Sequence, residues 1–173
     1  MFKLNVDAAL DLNNSKMGFG FVIRDSAGSF ISARCLPFPS IFKPHEAEAI
    51  GVREALKWIK NLQIDNVQLE SDCIKVINGI NSDLIRISSF DLLLYDIKEI
   101  ARVFSNLSFL FAKRSANRVA HMLVIHIILY LYLPHDSGVL LLIFFTLIHL
   151  KSVCVLHLIN LSLFTNEEQR KDF

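Results

Sequence analysis

The sequence predicts an α/β domain over residues 1–133, with a mixed five-stranded sheet flanked by helices, and an apolar tail over residues 134–173 that is helical or disordered. Three observations predict it. Apolar residues alternate at period two through the first 36 residues, the pattern of half-buried strands. From Pro44 the apolar spacing becomes helical, and short apolar runs then alternate with helical stretches, so strands and helices share one core. The charges, finally, stop: through Ala120 there are 15 Lys and Arg and 13 Asp and Glu, whereas from Met122 to Phe164 only Asp136 and Lys151 are charged.

A chain of 173 residues is long enough for one sizeable core. Its formal net charge of +1 gives no bulk attraction to nucleic acid or to an acidic membrane, so a nucleic-acid site would have to be a local basic patch. Cys35, Cys73 and Cys154 are odd in number and contain no CxxC pair, which argues against a disulfide framework or a zinc site. Buried thiols fit a reducing compartment, and no secretory signal is visible among the first residues, where Lys3, Asn5 and Asp7 interrupt any apolar run. The expected location is intracellular, cytoplasmic or nuclear.

The first strand covers Lys3 to Ala9, with Phe2, Leu4, Val6 and Ala8 on one face. Asp7 falls mid-run on the other face, and two readings stand. A carboxylate fixed on a sheet has a set direction and suits chemistry that needs aim. Alternatively the strand ends at Val6 and Asp7 opens the following loop, which this stretch taken alone favours because Asp is depleted in strands. Met17 to Asp25 is the second strand, and Asp25-Ser26-Ala27-Gly28 a turn with Asp first and Gly fourth. The third strand runs from Ser29 to about Leu36, completing an antiparallel meander. Pro37, Pro39 and Pro44 mark a connection without regular structure.

A helix then begins at Pro44, its stripe formed by Ala47, Ile50, Gly51, Ala55, Trp58 and Leu62, with Glu46 at the positive N-terminal end. Asn66 to Glu70 is a short strand, followed by Ser71-Asp72 and a short helix burying Cys73, Val76, Ile77 and Ile80. Asn81-Ser82-Asp83 links to a helix over Ser89 to Phe104, Asn106 to Phe111 forms the fifth strand, and the basic segment Lys113 to Arg118 leads into a last helix.

Asp7 on a strand, Glu48 near a helix start and Asp72 at a strand end can meet only through the fold. Strand ends are where α/β sites collect ligands, and clustered carboxylates supply the oxygen donors that hard divalent cations need. Scattered acids also merely solvate a surface, and spacing alone favours that.

Motifs carry the reading further. Lys3 to Ala9 with Gly18 to Asp25, then Glu46 to Leu56, Val67 to Cys73 and Arg114 to Leu123, resemble in order the plant ribonuclease H-like domain family, of type 1 ribonuclease H fold and associated with reverse transcriptases. The resemblance covers roughly residues 1 to 130. It implies a ribonuclease H-like fold and hydrolysis of the RNA strand of RNA–DNA hybrids by a two-metal mechanism. Asp7, Glu48 and Asp72 would hold two Mg²⁺ ions, with Mn²⁺ as a substitute, roughly 4 Å apart. His121 would join the catalytic set, either handling a proton or assisting product release, while a satisfied structural histidine is an equal alternative. Lys113, Arg114, Asn117 and Arg118 are candidate nucleic-acid contacts, and a plain solvated face is at least an equal alternative for each of the three charged ones. The chain departs from the family twice: Ala8 stands where Gly usually follows the first aspartate, which crowds the backbone near the site, and His121 stands where many ribonucleases H carry a fourth acid, although His is common there in the plant group. These departures support an alternative, a catalytically degenerate nucleic-acid-binding or interaction domain of the same fold. The oligomeric state is not legible.

The tail has three readings. Val139 to Phe164 is long enough to span a membrane only by tolerating Lys151, His149, His157 and Asn160, and a mid-span Lys costs about 3 kcal/mol. Extra helices packed on the domain and sequence never selected to fold are the others, the last favoured because the family's own ending is lost after about residue 125. A membrane anchor is thus not favoured. Deleting everything after Pro134 is expected to raise solubility and leave the cooperative melt of the body intact, because the deletion removes uncharged apolar surface. A shortened chain that is less soluble, or that melts without cooperativity, would place the tail in the core.

Overall fold

The computed structural model of the chain describes residues 1–38, 40–82 and 88–130, with the side chains of 126–130 left aside. Five strands, β1 (Phe2–Asp11), β2 (Lys16–Arg24), β3 (Phe30–Phe38), β4 (Val67–Ser71) and β5 (Leu107–Phe111), form one sheet in the order β3-β2-β1-β4-β5. The helices are α1 (Pro44–Asn61), α2 (Ile74–Ile80), α3 (Ser89–Ala101) and α4 (Arg118–Tyr130). The meander β1-β2-β3 is antiparallel, while β4 and β5 run parallel to β1. This is the mixed five-stranded sheet that the sequence predicts.

The strand does not end at Val6. β1 continues to Asp11 because the ladder with β2 keeps its backbone groups paired from Lys3 opposite Arg24 to Asp11 opposite Lys16, and Asp7 sits mid-ladder opposite Gly20. Pro37 also lies inside a strand, opposite Gly18. β3 is the outermost strand, so a residue without an N–H can face outward there without breaking the sheet. Leu62, expected in the helical stripe, is 46% exposed because α1 ends at Asn61 and turns the chain outward.

The two sheet faces have different jobs. Leu4, Val6, Phe19, Phe21 and Ile23 point toward α1 and join Ala47, Ile50, Ala55, Leu56, Ile59 and Leu69 in the main core. Phe21 stacks on Trp58 with ring centres 5.9 Å apart. Each such large side chain, fully withdrawn from water, contributes about 1.5–3 kcal/mol. The start of α1 is fixed by Glu46, whose carboxylate accepts from the Lys43 backbone N–H at 3.3 Å and from the Ser89 hydroxyl at 2.7 Å, tying α1 to α3. The Ser89 bond, chiefly, holds the Glu46 carboxyl below its usual range.

The opposite face carries Asn5, Asp7 and Ala9 on β1, and α4 crosses it over β1, β2 and β3. Ala120, Leu123 and Val124 of α4 pack on Val22, Cys35 and Ala9. Gly20 makes this crossing possible, since a Cβ there would run into the Ala120 carbonyl oxygen and lie 3.2 Å from the Val124 nitrogen. Among the described residues no helix is long and apolar enough to cross a membrane, and the 139–164 stretch and the expected boundary at 133 lie outside them. Gly20→Ala is expected to destabilise the fold by about 1–3 kcal/mol, because helix backbone must move to admit the methyl group. A urea melt with an unchanged midpoint would show that α4 does not bear on Gly20.

Candidate active site

The parallel pairing of β1 with β4 ends at Val6 opposite Ser71. Asp7, still within β1, and Asp72, just past the carboxyl end of β4, are the next residues, so the two lie side by side where the parallel pairing stops. Glu48 arrives from the second turn of α1. Carboxylate oxygens of Asp7, Glu48 and Asp72 all lie within 4.8 Å of one another. Fold topology therefore brings together the three acids that are scattered in sequence.

Their environment is adverse to charge. Asp7 is 3% exposed, and burial above all raises its carboxyl, with Asp72 adding to the rise and the His121 hydrogen bond opposing it. Glu48 is pushed up to about 9, first by burial and then by Asp7 and Asp72, against a smaller opposing effect from the Ala8 backbone N–H and the Arg114 charge. Among the described residues the Glu48 Oε2 atom is buried with no hydrogen-bond partner. A buried, orphaned oxygen within a set of three carboxylates fits a hard divalent cation, which takes oxygen donors and offsets their repulsion. The Ala8 side chain packs on the main core, on the sheet face away from Asp7, and its backbone N–H donates to Glu48.

His121 closes one side of the cluster. Its Nδ1 lies 2.8 Å from Asp7 Oδ2, and its Nε2 lies 3.1 Å from an Arg114 guanidinium nitrogen. A guanidinium has only donors, so Nε2 accepts and Nδ1 carries the proton that it donates to Asp7. Asn117 anchors the same turn. It is 0% exposed, and its side-chain N–H donates to the Val6 carbonyl at 2.7 Å, next to Asp7.

Asp7, Glu48, Asp72 and His121 thus meet in one place. Of the four expected nucleic-acid contacts, Lys113, Arg114 and Arg118 are exposed around the start of α4, whereas Asn117 is turned inward onto β1. Sequence reasoning did not find Gly20 as the seat of α4, nor Arg114 as the partner of His121. The first had a signal, since a glycine inside a strand marks a close approach of backbone.

A pH dependence follows for the metal-free chain. The folded Glu48 carboxyl titrates near 9 and its ordinary value is 4.5, so between these the folded state binds more protons than the unfolded state. Stability is therefore expected to fall as pH rises through that window, and Mg²⁺ to restore it at the alkaline end by binding only the folded chain. Thermal melts across pH with chelator and with Mg²⁺ check this. A melting temperature that rises with pH in chelator would contradict the buried, unpaired carboxylate.

Comparison with known structures places the fold. The ribonuclease H1 from the halophilic archaeon Halobacterium salinarum NRC-1 superposes with a TM-score of 0.63 at 18% identity, over 70% of this chain and 92% of that one. LC11-RNase H1 in complex with an RNA/DNA hybrid gives 0.63 at 18% identity, over 72% and 94%. The foamy viral protease-reverse transcriptase in complex with dsDNA gives 0.56 at 15% identity, over 72% and 90%. A comparison with curated protein sequences finds no match. The model of the reverse transcriptase-like family matches residues 5–126, a span that includes all three acids, Asn117 and His121, and on that match the chain belongs to the reverse transcriptase-like family, with a ribonuclease H-like fold.

Proposed function

We propose that this chain is a metal-dependent endonuclease that hydrolyses the RNA strand of RNA–DNA hybrids. The observation that carries the reading is the set of Asp7, Glu48 and Asp72 within 4.8 Å of one another, with Glu48 Oε2 buried and unpartnered. Support also comes from the ribonuclease H1 relatives of the same fold, one of them seen with an RNA/DNA hybrid.

Asp7, Glu48 and Asp72 would hold Mg²⁺, two ions in the two-metal scheme, with Mn²⁺ able to substitute. A metal held there would supply the chemistry of activating a water and stabilising the leaving oxygen of a phosphodiester. The protein supplies placement. Asp7 is fixed by the β1-β2 ladder, Asp72 by the end of β4, and Glu48 by the packed helix α1. Arg114 presents positive charge to the acids, and the exposed Lys113 and Arg118 lie in the same segment, where phosphates of the hybrid would bind; choice of the RNA strand would rest on its 2′-hydroxyls. His121 in place of a fourth acid favours the plant group within the family. It also supports the second reading, a domain that binds nucleic acid without cutting it. Location inside the cell, in cytoplasm or nucleus, goes with either.

The test is cleavage of a labelled RNA–DNA hybrid. The chain is expected to cut the RNA strand with Mg²⁺ or Mn²⁺ and not with chelator, and Asp72→Asn to lower the rate by at least a hundredfold, in line with about 3 kcal/mol of electrostatic stabilisation. Equal cutting by Asp72→Asn, purified free of host nuclease, would rule out the assignment. Binding of the hybrid without cutting would select the second reading.

A further inference from the structure

We infer that His121 is a positioning residue rather than a proton carrier, and that the group it positions is Arg114, a phosphate-binding cation held at the mouth of the carboxylate cluster. The inference rests on the hybrid-nuclease reading and names within it the residue that receives the nucleic-acid backbone.

The geometry begins at Asp7. Its Oδ2 accepts the Nδ1–H of His121 at 2.8 Å, which fixes the ring against a carboxylate that is itself fixed in the β1 ladder. The other ring nitrogen accepts from Arg114 at 3.1 Å. Both nitrogens are therefore engaged, one as donor and one as acceptor, and neither is left to take a proton from water or to give one to a leaving group. What remains free, among the described residues, is on the arginine. Arg114 is exposed, a guanidinium carries five N–H donors, and its fork matches the oxygens of a phosphate.

Arg114 sits in the turn between β5 and α4, where Lys113 accepts backbone N–H bonds from Ala116 at 2.7 Å and Asn117 at 3.1 Å. Nothing in a turn fixes the end of a long side chain, so an anchor is needed. A carboxylate could provide one, but it would cancel the charge. A neutral imidazole fixes the guanidinium and leaves its charge whole. That charge is felt at the acids, since Arg114 lowers both Asp7 and Glu48 against the stronger effect of burial. Position and uncancelled charge are the two properties that a phosphate-binding residue beside a nuclease centre requires.

The experiment uses the full chain, a fluorescent RNA–DNA hybrid and chelator, so that binding is read by anisotropy without cleavage. The variants are Arg114→Gln, His121→Phe, which keeps a ring and removes both nitrogens, the double variant, and His121→Gln, whose amide can donate to Asp7 and accept from Arg114. Arg114→Gln is expected to weaken binding about tenfold and to reduce the salt slope by about one. His121→Phe should weaken it to a similar degree although Arg114 is present, the double variant should be no weaker than Arg114→Gln alone, and His121→Gln should recover most of the loss. With Mg²⁺, His121→Gln should keep both limbs of the wild-type pH–rate profile. Unchanged affinity in His121→Phe, losses that multiply in the double variant, or a missing pH limb in His121→Gln would each overturn the inference while leaving the nuclease reading intact. A wild-type chain that neither binds nor cuts the hybrid would overturn both.

Discussion

β1 outruns its parallel neighbour β4, and the site depends on that offset. Pairing stops at Val6 and Ser71, so Asp7 on β1 and Asp72 just past β4 lie beside one another where β4 ends. On its other side β1 stays paired with β2 for four more residues past Asp7, which keeps that carboxylate rigid where half of its strand is already free. Gly20, opposite Asp7, then admits the backbone of α4, and α4 brings His121 to Asp7. One ladder, one missing side chain and one helix crossing bring Asp7, Asp72 and His121 together, and Glu48 joins them from α1.

Three carboxylates brought together in this way work against the fold. The contrast is Asp65, at the opposite, N-terminal end of β4. There the Ser105 hydroxyl and the backbone N–H groups of Asn66, Ser105 and Asn106 hold the carboxyl down to about 2. Glu48 has burial and like charges where Asp65 has donors, and it is pushed up to about 9. The same functional group serves in one place to fasten loops and in the other to create a demand for positive charge. Sites that carry such a demand are commonly less stable than the rest of the molecule, which is the expected trade between stability and function. Main-core packing between the sheet and α1 offsets it here, with Phe19, Phe21, Leu56, Ile59 and Leu69 withdrawn from water.

Much of this was legible in the sequence. Period two gave the meander and the change of period at Pro44 gave α1, because burial of one face leaves a direct mark on residue order. The identities of the acids came from their placement at strand and helix ends, joined to the family resemblance. What the sequence could not show depends on contacts between distant elements. Asp7 alone favoured a strand ending at Val6, since only the partner β2 supplies the hydrogen bonds that carry the strand onward. Pro37 read as a breaker because edge position is a property of the sheet, not of the residue. Asn117 read as a surface contact because it lies in a basic segment, and only the approach of α4 to β1 gives its amide the Val6 carbonyl. The roles of both His121 nitrogens follow from Arg114 having no acceptor, which a linear motif does not convey.

The central claim is that Asp7, Glu48 and Asp72 form a metal centre. It is tested most directly by diffraction from crystals of the chain grown with Mn²⁺, using the anomalous signal of the ion. The expected result is an anomalous peak bounded by these three carboxylates, with Glu48 Oε2 among the ligands. Saturating Mn²⁺ with no peak between the three acids, in a chain otherwise folded as described, would contradict it.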